Sequence, residues 1–365
     1  MKMFSSLFGF ILVSFCFAAT AIAVKLPAKF VLTSVEPTKL AYFAVSPDNQ
    51  TIAVRGPTYI QLWNIADQSL IKTIPNQRFV PSNLAIIQME FTSDGKNVIE
   101  RFYYAPNIVV TNVETGKVVF EKTVSGKQPY NSIYKFSPSG KSLLVFDANL
   151  GSAELIDVKT WTTLSVTNIG ISPYTAAFYA GFFFLDEKTL LVEYFDESTT
   201  NDAEDFKLFK YKIGTNEVSQ VFLNTHLSYT IQMSPTKFIA RTNIAYYNYD
   251  ASVFDLTDKS VTKFYQNDFL PPNDSEKPLA ASINMLEYNA HNDVLLVGTT
   301  NFPEYLPKGL RLVNMTTKKA SPSFDFNHLE VIHLFNNDKE NYIVGINRGQ
   351  INPQEGGVQF IKVGE

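Results

Sequence analysis

The fold class this sequence predicts is all-β: a seven-bladed β-propeller closed by an N-terminal strand that completes the last blade. Three observations predict it. A turn-and-strand signature recurs seven times along the chain. The segments between turns are short apolar and aromatic runs of strand period, and no long amphipathic helical pattern occurs. The last unit lacks a fourth strand, while a strand-like segment without a partner of its own stands ahead of the first.

The signature is clearest in GKQPYNSIYKFSPSGKSLLVFDANLGSAELIDVKTW (126–161), a strand, a tight Ser-Pro-Ser-Gly turn, a second strand, a loop, and a third strand ending in a polar turn. Its turn SPSGKSLLV (137–145) aligns with SPDNQTIAV (46–54), TSDGKNVIE (92–100), LDEKTLLVE (185–193), SPTKFIAR (234–241), NAHNDVLLV (289–297) and NNDKENYIV (336–344). A second series lies one strand further on: LWNIADQ (62–68), VTNVETG (110–116), LIDVKTW (155–161), KYKIGTN (210–216), VFDLTDK (253–259), LVNMTTK (312–318) and QFIKVGE (359–365). Gly, Asn, Asp, Ser and Pro supply the turns because they tolerate positive φ, preset φ, or hydrogen-bond their own backbone. The spacing is mostly 45 to 50 residues, room for four strands. Units of that size that cannot bury both faces alone pack radially, as propeller blades do. The unpartnered N-terminal segment is AKFVLTSV (28–35), and pairing it with GGVQFIKV (356–363) closes the ring and removes open sheet edges.

QLWNI (61–65) resembles the strand end of WD repeats, with the Trp in the first unit alone. The run TNVETGKVVFEKTVSGKQPYNSIYKFSPSGKSLLV (111–145) resembles more closely the YVTN-type propeller repeats of exported bacterial proteins. The resemblance is good over the second and third units, partial in the first, and weak in units four to six. It implies fold and export. It carries no catalytic residue and no cofactor onto this chain.

The first 23 residues, MKMFSSLFGFILVSFCFAATAIA, read as a secretory signal peptide: Lys2, an apolar core from Leu7 to Phe17, and Ala21 and Ala23 framing the cleavage pattern. Residues 24–365 then form a single propeller domain, secreted or periplasmic. A lipoprotein reading would use Cys16, but Phe15 stands where that processing wants a small residue. Cys16 is the one cysteine, so the mature chain is expected to have no disulfide and no thiolate chemistry. No other segment has the roughly 18 apolar residues of a membrane span. A net charge of −4 with no basic run argues against nucleic acid as partner.

Function is expected on the long loops, those joining the second strand to the third and the fourth strand to the next blade. They are aromatic and acidic. Tyr104, Tyr130, Tyr174, Tyr247 and Tyr305, with Arg78 of QRFVPSN (77–83), are the candidate ligand-binding residues, because tyrosine and arginine supply the contact area that interfaces favour. The acidic loop Asp196, Glu197, Asp202, Glu204 and Asp205 lacks the Asp-x-Asp-x-Asp-Gly frame of a calcium loop and reads as solvated, so no metal site is expected. The four histidines assemble no site in sequence, and no nucleophile elbow, zinc-protease pair or phosphate-cradling loop occurs. The expectation is a non-enzymatic propeller binding a protein, peptide or glycan, as a monomer or as part of an envelope complex. The alternative is a propeller enzyme, a lactonase or other hydrolase, with carboxylates and a histidine at the channel mouth.

Overall fold

The computed structural model describes residues 29–32, 40–75, 86–102, 108–123, 132–147, 152–168, 182–195, 206–215, 217–223, 227–245, 248–264, 281–289, 293–301, 309–321, 329–337, 340–347 and 357–363. They form seven four-stranded antiparallel sheets with no helix among them. Strand β1 (Lys29–Leu32) stands apart in sequence. Blade one is β2 (Tyr42–Val45), β3 (Thr51–Arg55), β4 (Tyr59–Asn64) and β5 (Leu70–Pro75). Blade two is β6 (Ile86–Phe91), β7 (Asn97–Phe102), β8 (Ile108–Asn112) and β9 (Val118–Lys122), and blade three β10 (Ser132–Phe136), β11 (Ser142–Asp147), β12 (Ser152–Asp157) and β13 (Thr162–Asn168). Blade four is β14 (Phe182–Asp186), β15 (Thr189–Phe195), β16 (Phe206–Lys212) and β17 (Glu217–Leu223), and blade five β18 (Leu227–Gln232), β19 (Lys237–Ala245), β20 (Asn248–Asp255) and β21 (Val261–Phe264). Blade six is β22 (Ala281–Asn289), β23 (Val294–Asn301), β24 (Gly309–Asn314) and the two-residue β25 (Lys319–Ala320). Blade seven is β26 (Leu329–Asn337), β27 (Glu340–Asn347) and β28 (Gly357–Val363), completed by β1 in the order β1-β28-β27-β26.

The ring closes as the sequence predicts. The ladder pairs Lys29 with Ile361, Phe30 with Phe360, Val31 with Gln359 and Leu32 with Val358. Leu32 is buried in one cluster with Val358 and Phe360 of blade seven and with Leu40, Phe43 and Val54 of blade one. The other six interfaces have the same character. Ala53 and Ile60 of blade one meet Met89 and Val98 of blade two; Ile99 and Val110 meet Tyr134 and Leu143 of blade three; Leu144 and Ala153 meet Leu190 and Tyr211 of blade four. Leu191 then packs on Phe238 and Phe254 of blade five, Ile239 on Leu295 and Val313 of blade six, and Leu296 and Leu310 on Ile343 of blade seven. Alternate residues of each second strand therefore face opposite neighbours, which is why these strands read as unbroken apolar runs rather than alternating ones.

The turns work as their residue types require. After β2, Ser46 Oγ donates to Asp48 Oδ1 (2.5 Å) and accepts from the Thr51 amide (2.9 Å), and Asn49 takes φ +59°. Thr92, Asp94 and Gly95 repeat this after β6, with Gly95 at φ +69°. After the third strands, an Asn or Asp side chain accepts the amide three residues on: Asn112 from Thr115 (2.8 Å), Asp157 from Thr160 (2.7 Å), Asn314 from Thr317 (2.7 Å). These are the two recurring series of the sequence.

Blade seven departs from the simple alignment. Its first hairpin pairs Asn337 with Glu340, leaving two residues between, where Ser137 to Ser142 in blade three leaves four. Tyr342 and Val344, aligned in sequence with Leu143 and Val145, consequently pack toward the following blade, while Leu143 and Val145 pack toward the preceding one. A one-residue offset exchanges the faces of a strand.

Candidate functional site

The first strand of each sheet lies innermost. β22 touches β18 and β26, β14 touches β10 and β18, and β2 touches β6. All of these strands run toward their first hairpin turns, so those turns gather at one end of the central channel. At that end a cavity of about 380 Å³ opens between blades six, seven, one and two. Phe43 of β2, Phe91 of β6 and Phe335 of β26 supply apolar wall; Glu90 of β6, Glu287 of β22 and His333 of β26 supply the ionisable groups.

Glu287 is held across the blade interface. Its Oε2 accepts the Leu334 amide at 2.7 Å, and its Oε1 lies 3.3 Å from His333 Nδ1. A carboxylate only accepts, so Nδ1 carries the proton, and Nε2 has no hydrogen bond among the described residues. The ring is fixed edge-on against Phe43 (centroids 5.1 Å apart, planes at 88°) and Tyr42 (6.0 Å, 61°). The His333 side chain keeps 38 % of its surface accessible, and that surface lines the cavity. Burial by the surrounding blades opposes the charged imidazole. The nearby Glu287 carboxylate, with Glu90 adding to it, outweighs that cost and raises His333 above the ordinary 6.5. Glu90 accepts from Gln88 Nε2 on its own strand.

Two further polar groups lie outside the cavity, at interfaces between blades. The Tyr134 hydroxyl is fully buried and has no partner among the described residues; burial pushes its ionisation well above 10, with Glu90 and Tyr42 adding to the effect and Arg101 opposing it. Arg55 of blade one donates through Nε to Glu100 of blade two at 2.8 Å, both side chains wholly buried, and through Nη1 to the carbonyls of Gly56 (2.7 Å) and Tyr59 (3.0 Å). This pair fastens two blades together.

The six residues nominated from sequence, Arg78, Tyr104, Tyr130, Tyr174, Tyr247 and Tyr305, all lie outside the described residues, as does the acidic loop 196–205. His333 and Glu287 were missed by reading the histidines along the chain, because they are 46 residues apart. That separation is close to one repeat. Setting the inner strands side by side and looking for ionisable residues near their first turns would have found Glu90, Glu287 and His333 together. Among the described residues no group of three or more His, Cys, Asp or Glu is placed to hold a metal ion, and no helix is long and apolar enough to cross a membrane.

No family model matches the sequence, and no curated protein is significantly similar to it. The fold does have solved counterparts. The WD40 repeats of RRP9 superpose with a TM-score of 0.60 at 12 % identity, over 92 % of this chain and 97 % of that one. Hydrazine synthase of Kuenenia stuttgartiensis superposes with a TM-score of 0.54 at 11 % identity, over 91 % and 97 %. At such identities the likeness is one of fold, a WD40-like propeller, and it transfers no site.

Proposed function

We propose that this chain is an exported binding propeller, without catalysis of its own, whose partner is a protein, peptide or glycan. The observation that carries the reading is the cavity at the channel end. A concave, aromatic-walled pocket with a few converging polar groups on a rigid frame is the form a ligand site takes, and about 380 Å³ admits one side chain or sugar ring of a larger partner. Export is supported by the apolar leader and its Ala21-Ile22-Ala23 ending. The loops after the second and fourth strands leave from the opposite ends of the blades to this cavity, and the face carrying Arg78, Tyr104, Tyr130, Tyr174, Tyr247 and Tyr305 is proposed as a second, separate contact surface. The test is affinity capture from the native envelope with the wild type and with a Tyr104→Ala, Tyr247→Ala, Tyr305→Ala variant. A partner held by the first and lost by the second, at unchanged melting temperature, supports the reading; equal capture by both removes the long-loop face from it.

One observation favours a second reading. Glu287 orients His333 with Nε2 uncommitted, which is the arrangement of a general base that draws a proton from water attacking a lactone or ester. A hydrolysis screen over such substrates decides it: activity that His333→Gln abolishes while the fold survives would make this propeller an enzyme.

A further inference from the structure

The cavity at the channel end has unbalanced charge. Glu90 and Glu287 both line it, and none of the described residues lining it is Lys or Arg. Two carboxylates in a recess walled by protein interact strongly and are poorly screened. The one basic side chain at hand is His333, in contact with Glu287. We propose that the cavity is a site for a ligand bearing a primary ammonium or amidinium group, with Glu287 and Glu90 as its counter-charges and Phe43, Phe91 and Phe335 as its walls. The proposal rests on the reading of this cavity as a ligand site and adds the chemistry of what enters it.

Two features support the choice of a cation. Aromatic faces attract ammonium and guanidinium groups, most strongly where water is excluded. The carboxylate of Glu287 is already oriented, by the Leu334 amide at 2.7 Å, so it loses little freedom when a cation arrives.

The same geometry predicts a linkage. The described ionisable groups facing His333 are Glu287 from β22, Glu90 from β6 and the Tyr42 phenol from β2; Phe43 is apolar. Without a ligand the carboxylates draw a proton onto His333. An ammonium ligand placed between them takes over that role, and the proton leaves as the ligand enters. Affinity for a cation should therefore rise with pH until His333 is neutral, and then level off.

Benzylamine is the probe, with benzyl alcohol as its neutral isostere and benzoate as its anionic one, each titrated calorimetrically into the full mature protein in buffers of differing ionisation enthalpy. The expected result is benzylamine binding at least about tenfold tighter than benzyl alcohol. Protons should be released on binding at about pH 6, and the release should shrink as pH rises through the His333 transition while the probe is still an ammonium. His333→Gln should lose the proton release and the pH dependence, binding benzylamine more tightly than the wild type at about pH 6. Glu90→Gln and Glu287→Gln should each weaken benzylamine about tenfold and leave benzyl alcohol unchanged. If Glu287→Gln does not fold, Glu90→Gln and the wild-type pH dependence carry the same test. Equal binding of benzylamine and benzyl alcohol would overturn the charge preference and leave the cavity standing as a ligand site. Preference for benzoate, or affinity for benzylamine independent of pH, would overturn the proposal. No binding of any probe would remove the cavity as a small-ligand site altogether.

Discussion

Removing residues 24–36 takes away β1 and with it the closure of the ring. Leu32 is 2 % exposed in the cluster joining blades seven and one, so losing its side chain from that cluster costs about 2 kcal/mol. The four-residue ladder with β28 contributes a few backbone hydrogen bonds at about 1 kcal/mol each. Val358 and Phe360, now fully buried, become partly wet. The total is roughly 5 kcal/mol, a large share of the 5–15 kcal/mol that ordinarily separates folded from unfolded states. With an unfolding entropy of about 2.1 cal/mol/K per residue, that corresponds to a drop of roughly 7 °C in Tm for a chain of this length. The uncovered edge of β28 should also self-associate. Differential scanning calorimetry and size-exclusion chromatography measure both effects, against a control deletion of 196–205. A truncated protein that stays monomeric and melts with the wild type would refute the closure argument, since no other described strand pairs with the outer edge of β28.

Three further outcomes follow from the geometry. Arg55→Met or Glu100→Gln leaves a charge buried beside a lost partner, and each should cost about 3–5 kcal/mol in a urea titration, with a double-mutant coupling above about 1 kcal/mol. Gly140→Ala should destabilise more than Gly214→Ala although both sit at positive φ (+68° and +88°), because a Cβ at 140 meets Ser93 Oγ at 2.0 Å while none is met within 4 Å at 214; melting temperatures of the pair measure the difference. His333 has a folded pKa above its unfolded one, so its charged form stabilises the fold below about pH 6.5 and that contribution is lost as pH rises through the raised value. The Tm difference between wild type and His333→Gln should shrink over that window, and a difference that grows instead would reverse the assigned direction.

The sequence carried the fold almost entirely, through turn chemistry. Ser46, Asp48 and Asn49 do in space what their types promise, and the same holds for Asn112, Asp157 and Asn314. Closure was legible because GGVQFIKV had no strand to follow it. The blade-seven offset was not, since SPSGK and NNDKE look alike while pairing differently, and only the hydrogen-bond register separates them. The site was least legible. A propeller builds its channel from residues one repeat apart, so Glu287 and His333 meet only once the blades are in a ring, and nothing local to either marks it. The tyrosines that the sequence does mark lie on connections outside the described residues, where composition alone still argues for them.

The pairing of Lys29 with Ile361 has a consequence for how the molecule comes to be made. Neighbouring blades can meet as soon as both have been synthesised, since their contacts span only a repeat or so of chain. The closing sheet cannot, because its outer strand is made before the other six blades and its remaining three strands after them. That contact spans the whole propeller in sequence, and long-range pairings of this kind are slow to form because the loop must close before the contact rewards it. Until Val363 has been added, the first strand has no edge to join, and a chain halted short of β28 holds six complete blades and no ring.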